Sequence, residues 1–412
     1  MKRMSTVVCF VLSTFVSHVV AQESDTREME ADLLLLKKTI EESLPANERA
    51  TSQDTRLWVP NTLALSHVGA YRDEAGKRTI AINVGMSIRL LELSRAMLLD
   101  SKLINDERYL FGYMRYLAYS DQFGGEFIPA DQFATRYLGN WFKTAYDQLS
   151  PAAVQPQRNI YANAMAFVVA HEIAHHVLGH LDDPDSSGTA QRKREEAADS
   201  WAASAIYSAG FTPMASIFTM LLFNEAYERS EKIGANSTHP APISRAVTLS
   251  KKTVDLLERG ASGKVLSPTV DIEKARNLLP GSKHLYKLVE QRAAAQKALD
   301  DPQLLLEAAN DGNRHAQLRV GEFYSTGDHA MFPRNYKVSR DWYKKAATNT
   351  SMFDYMDQVD AEARVGWMYA FMPSKIEVDI PAACFYLKRA ASTGYDSSKW
   401  AYDKLIKDGK CS

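Results

Sequence analysis

The sequence predicts a mainly α-helical protein with a small β-sheet or hairpin in its N-terminal part and a solenoid-like helical repeat array at its C-terminal end. Three observations carry this expectation. Apolar residues recur at helical spacing through most of the 412 residues, one early stretch alternates like paired strands, and a motif of small residues repeats near the end. At 45% hydrophobic residues the chain can bury a large core, and its length suits two domains.

The first 21 residues stand apart. Lys2-Arg3 precede the apolar Val7-Val8-Cys9-Phe10-Val11-Leu12, and Val19-Val20-Ala21 leaves small residues before Gln22, the pattern of a secretory signal peptide. The run is too short and too interrupted to span a membrane, no other stretch is apolar enough, and Cys9 has no lipidation context. Removing this segment takes Lys2 and Arg3 and no acidic residue, so 47 basic against 50 acidic residues moves the formal charge from −1 to −3. No basic patch points to nucleic acid. Export would leave Cys384 and Cys411 in an oxidising compartment, where they either form a disulfide pinning the tail or remain one buried and one tail thiol.

An amphipathic helix is expected from Glu28 to Leu44, with acids early and lysines later. Thr62 to Tyr71, the turn-like Arg72-Asp73-Glu74-Ala75-Gly76-Lys77, and Arg78 to Gly85 read as a hairpin. Helices rich in Tyr, Phe and Trp follow over Asp106–Phe123 and Phe133–Leu149, and two more over Pro213–Glu231 and Ser244–Glu258. The spacing of Tyr109, Tyr113, Tyr116 and Tyr119 suits core packing.

The segment His171-Glu172-Ile173-Ala174-His175-His176-Val177-Leu178-Gly179-His180 holds four of the ten histidines. At about 100° per residue His171 and His175 lie about 40° apart on one helical face, so both imidazoles can reach one metal ion, with Glu172 beside that face. The uncharged Ala164–Ala170 and Val177-Leu178 flanks suit a buried helix that holds its ligands still. Glu195 and Asp199 are again four apart, so the first can complete the ligand set while the second accepts a hydrogen bond from a ligand histidine. His180 is a competing third ligand. Its spacing argues against it, since it falls nine residues after His171 and about 180° round a continued helix. His176 points away from the metal face and is expected to serve packing or hydrogen bonding.

H-E-x-x-H followed by E-x-x-A-D resembles the gluzincin family of CAAX prenyl proteases, HtpX-type heat-shock peptidases and OMA-type or BepA-type periplasmic peptidases. Thr238-His239-Pro240-Ala241-Pro242-Ile243-Ser244-Arg245 matches the family's histidine-proline segment preceding an arginine. The resemblance covers roughly residues 60–255. It implies a zincin-like catalytic domain and one Zn²⁺ held by His171, His175 and Glu195. It also implies Asp199 behind a ligand histidine, and His239 facing the zinc, where it would stabilise the oxyanion or occupy the open position in a resting state. Arg245 would anchor its segment electrostatically. Only twenty positions separate His175 from Glu195, so an insertion carried by many relatives is missing. Without membrane spans the chain fits the soluble periplasmic branch, which implies export to a bacterial periplasm and a role in envelope protein quality control.

The chemistry expected is peptide-bond hydrolysis. Zinc would activate a water and polarise the carbonyl, and Glu172 would act as general base. The expected substrates are protein or peptide segments that are unfolded or flexible, presented along the hairpin's edge, unless that hairpin only packs the core.

Gly260-Ala261-Ser262-Gly263, Pro268 and Pro280-Gly281 mark a linker over 261–282, which bounds the catalytic domain to 22–260 and leaves 283–412 as the repeat domain. There Ala316-x-x-x-Val320-Gly321-x-x-Tyr324 recurs as Ala361-x-x-x-Val365-Gly366-x-x-Tyr369, and Trp342-Tyr343-Lys344-Lys345-Ala346-Ala347 recurs as Phe385-Tyr386-Leu387-Lys388-Arg389-Ala390-Ala391. The pattern resembles SEL-one-like, tetratricopeptide-type repeats. About two and a half units are present, fewer than such arrays generally need, so the array is expected to dock on the catalytic domain or on a protein partner. Two classes of function therefore stand: an exported zinc endopeptidase, or a repeat-based scaffold or chaperone-like adaptor with a structural or silent metal site.

Overall fold

The computed structural model describes residues 23–411 apart from 63–67, 105–106, 119–127, 139, 150, 184, 186, 234–241, 265–269, 300, 350–354, 373–375 and 394. The expected signal peptide and His239 lie outside the described residues. Helix α1 (Glu23–Ser43) and α2 (Ala46–Gln53) precede strands β1 (Arg56–Trp58), β2 (Val68–Arg72) and β3 (Arg78–Ile82). Then come α3 (Val84–Leu99), a π-helical turn at Asp100–Ile104, α4 (Glu107–Ala118), α5 (Ala130–Leu138), α6 (Asn140–Asp147), α7 (Pro151–Val177), α8 (Gly188–Ser208), α9 (Met214–Ile233), α10 (Pro242–Ala261) and α11 (Ile272–Leu299). The C-terminal helices are α12 (Pro302–Asn310), α13 (Arg314–Thr326), α14 (Tyr336–Thr348), α15 (Tyr355–Phe371), α16 (Ile380–Ala391) and α17 (Asp396–Lys407). The chain is thus mainly α, as expected, with one small sheet. Among the described residues no helix is long and apolar enough to cross a membrane.

The chain divides into two compact units, one of residues up to Asn105 with Pro129–Gln291, the other of Asp106–Ile128 with Arg292–Ser412. In the first unit a hairpin forms within the expected span, β2 antiparallel to β3 with Ala70 opposite Ile80, while residues 63–67 lie outside the described residues and Val84-Gly85 open α3 rather than extending the strand. Its turn is closed by Asp73, whose carboxylate accepts the backbone N–H groups of Ala75 and Lys77, and by Gly76 at φ +76°. A third strand was not foreseen: β1 pairs parallel to β3, giving the order β1-β3-β2. Asn83 caps α3 by accepting the Met86 N–H at 2.8 Å.

Helix α7 is the axis of this unit and packs against α8, α3, α1, α9 and the strands β2 and β3. Its apolar stretch explains this, since Met165, Ala166, Val169, Ala170, Ile173 and Ala174 are all fully buried. The linker expected over 261–282 is helical from Ile272 onward, because Ala275, Ser282, Leu285 and Val289 are buried and hold α11 together through Pro280. Packing outweighs the breaker signal of Pro280-Gly281 here.

In the second unit each helix from α12 to α17 packs on the next, as in a solenoid. Asp301, Asn313, Asn335 and Asp379 each cap the helix that follows. The repeated glycines are contact points. A Cβ at Gly321 would stand 2.6 Å from the Tyr343 ring, and one at Gly366 would stand 2.6 Å from Leu387 Cγ and 3.0 Å from its backbone nitrogen. We expect Gly366→Ala to destabilise the array by about 1–3 kcal/mol through overpacking. Gly281→Ala, where a Cβ meets nothing within 4 Å, should be neutral or slightly stabilising. Thermal unfolding of both variants checks this, and equal behaviour would sink it.

Two further features complete this unit. Cys384 and Cys411 are joined in a disulfide across 27 residues, and closing a loop of that length contributes about 3–4 kcal/mol by the chain-entropy account. The array also takes in a helix from far upstream. Helix α4 packs on α15, with Arg115 Nη1 2.7 Å from Asp357, a carboxylate only 1% exposed that His315 approaches at 3.3 Å. Tyr109, Tyr113 and Tyr116 are buried, as their spacing suggested, and the Arg292 guanidinium lies 4.4 Å from the centre of the Phe111 ring.

Candidate active site

The site forms where the last turns of α7 meet the first half of α8. His171, Glu172 and His175 project from α7 and are 6%, 2% and 7% exposed. Glu195 and Asp199 come from α8, at 4% and 3%. Ser187 starts α8 by accepting the Ala190 N–H, so the short loop after α7 returns the chain with Glu195 and Asp199 facing the histidines.

His171 Nε2 lies 3.2 Å from His175 Nε2 and 3.3 Å from Glu195 Oε2, and His175 Nε2 lies 3.5 Å from Glu195 Oε1. Donors about 2.0–2.1 Å from a tetrahedral ion stand about 3.3–3.4 Å apart, so these three residues fit one face of a four-coordinate divalent site with one position left over. Among the described residues they are the group of histidines and acids that could hold a metal ion. Glu172 neighbours His171 on the helix and is almost fully buried.

Asp199 stands behind His171, its Oδ1 2.9 Å from Nδ1. Burial by itself lowers the pKa of His171, but hydrogen bonding to Asp199 and Glu195 and the charges of both raise it from 6.5 to about 10. The two buried carboxylates thus demand positive charge at this point, which a proton or a divalent ion can supply. Burial raises the Asp199 carboxyl, but the Arg245 charge and hydrogen bonding to His171 and Arg245 bring it below the usual range.

Arg245 does more than anchor its own segment. From the first turn of α10 its Nε and Nη2 grip both oxygens of Asp199 at 2.8 and 2.9 Å, and its Nη1 lies 2.9 Å from Glu195 Oε2. It is itself 4% exposed. His176 is engaged elsewhere: its Nε2–H donates to the Thr79 carbonyl at 3.0 Å, tying α7 to β3. His180 also stands outside the donor triangle. It lies beyond His175, with Nδ1 3.2 Å from that residue's Nδ1 rather than near the Nε2 atoms that converge. The chain does not continue as a helix to His180: α7 ends at Val177 and the backbone turns back at Gly179, φ +70°.

A glutamate beside a buried triangle of two histidines and a second glutamate defines, as a class, a site suited to hydrolysis at a divalent ion. Comparison with known families bears on the peptidase activity and on the repeats. Residues 130–259 match Peptidase U49, a span that contains every site residue named above, and residues 314–351 and 359–395 each match the Sel1 repeat. The chain therefore carries a peptidase domain followed by Sel1 repeats, and Sel1 repeats suggest protein–protein interaction. Neither the curated proteins nor the solved structures give a match.

Proposed function

We propose that the chain is a zinc endopeptidase of gluzincin type, in which His171, His175 and Glu195 hold the metal and Glu172 is the general base. The observation that carries this reading is the buried donor triangle with edges of 3.2, 3.3 and 3.5 Å. Zinc bound there supplies a Lewis acid for the scissile carbonyl and makes a coordinated water acidic enough to react near neutral pH. Glu172 takes the proton of the attacking water and returns it to the leaving amine. Asp199 fixes the ring of His171 from behind, and Arg245 fixes Glu195 and Asp199 together. His239, by the resemblance alone, would face the zinc and either stabilise the developing negative charge of the carbonyl oxygen or occupy the open position at rest.

Strand β2 is an edge of the sheet, and α7 packs on it. An unfolded or flexible segment added along that edge would pair its backbone with a strand packed on the helix that carries the donors, which favours protein and peptide substrates without a fixed fold. The Cys384–Cys411 disulfide suits an oxidising compartment, and so export; a periplasmic role in protein quality control rests on the family resemblance alone. The Sel1 repeats would recruit a protein partner.

The test is metal content and casein hydrolysis for wild type and Glu195→Gln in parallel. We expect one zinc per chain and activity in the wild type. In the variant, zinc affinity should fall by more than the about 10–100-fold typical of lost outer partners. Tight zinc and full activity in Glu195→Gln would return the third-ligand role to His180.

A further inference from the structure

We propose that His180 is the positioning residue of His175: its Nδ1 accepts the Nδ1–H of His175 and so holds that ligand in the tautomer whose Nε2 carries the free lone pair. The inference rests on the reading of His171, His175 and Glu195 as a zinc site, and adds to it the group that orients the second ligand.

The geometry begins with the way α7 ends. Gly179 adopts φ +70°, its N–H donates to the His176 carbonyl at 3.3 Å, and the His180 N–H donates to the His175 carbonyl at 3.0 Å. These two bonds are the Schellman closure, in which the residue after the left-handed glycine folds back onto the residue five before it. That pair is ordinarily apolar. Here it is two imidazoles, with ring centres 5.1 Å apart, planes at 74° and the two Nδ1 atoms at 3.2 Å.

Between two neutral imidazoles one nitrogen must donate and the other accept. If His180 donated, His175 would carry its own proton on Nε2, the atom that lies 3.2 Å from His171 Nε2 and 3.5 Å from Glu195 Oε1. That arrangement would block the donor triangle. With His180 accepting, the proton sits on Nδ1 of His175, and Nε2 is left to bind. His180 then does for His175 what Asp199, 2.9 Å from Nδ1, does for His171. The two ligands differ in the charge of the group behind them, a carboxylate for one and a neutral ring for the other. Gly179 is part of the device. A Cβ there would meet nothing within 4 Å, so only its left-handed backbone requires glycine.

The experiment uses the full chain with His180→Ala and His180→Asn, since the Asn carbonyl oxygen can take the place of the imidazole Nδ1. Zinc affinity is read by competition with a chelator, and the tautomer of His175 by long-range proton–nitrogen NMR on the metal-free protein. We expect His180→Ala to weaken zinc by about 10–100-fold and to lose the single Nδ1–H tautomer. His180→Asn should restore both to near the wild-type values, with the thermal transition of both variants unchanged. Wild-type zinc affinity in His180→Ala, or no rescue by His180→Asn, overturns the proposal. A wild type that binds no zinc overturns the metal reading instead. In that case the tautomer still decides the role of His180, and a wild-type His175 protonated on Nε2 refutes it.

Discussion

Glu172→Gln is expected to keep one zinc per chain and to lose casein hydrolysis by about 10²–10⁴-fold in kcat, the range general-base catalysis supplies. The substitution changes almost nothing but proton affinity. Glutamine has the shape of glutamate, and its carboxamide cannot accept a proton from water. The side chain is 2% exposed on a helix whose next two residues, Ile173 and Ala174, are fully buried, so the fold has little freedom to answer the change by moving. Glu172 is also not among the three converging donors, so metal content should survive. A variant with unchanged zinc and a kcat within about tenfold of wild type would remove Glu172 from the chemistry. Lost zinc would instead mean that the residue holds the ion.

How much of this was legible in the sequence depends on distance along the chain. His171 with His175, and Glu195 with Asp199, could be read because four residues on a helix always return to one face, whatever the rest of the chain does. The meeting of these two pairs was inferred from a family resemblance rather than from spacing. The contact of Arg245 with Glu195, fifty positions away, depends on how α10 packs against α8 and leaves no local trace. Strand β1 was invisible for another reason. Three residues, Arg56–Trp58, are too few to show an alternation, and their pairing with β3 is set by the sheet. Helix α4 was recognised as a helix but not as part of the repeat unit. Its partner Asp357 is 242 positions away, and adjacency in sequence suggested the wrong neighbour.

Arg245→Met should cost about 3–5 kcal/mol of stability in the presence of a chelator, the usual penalty for removing one partner of a buried ion pair. Methionine keeps much of the arginine stem's volume, so the loss reports charge rather than a cavity. Glu195 and Asp199 are 4% and 3% exposed and would remain buried without the guanidinium that now bridges them. A divalent ion held by the donor triangle would supply the missing positive charge and should bind the variant more tightly than wild type, each tenfold of tighter binding narrowing the difference by about 1.4 kcal/mol. The deficit should therefore shrink at saturating zinc, which urea unfolding midpoints with and without the metal would measure. A core arginine that served only packing would cost the same in both conditions. Equal deficits would sever Arg245 from the metal site, whereas a deficit that zinc relieves would show that the arginine and the ion neutralise the same two carboxylates.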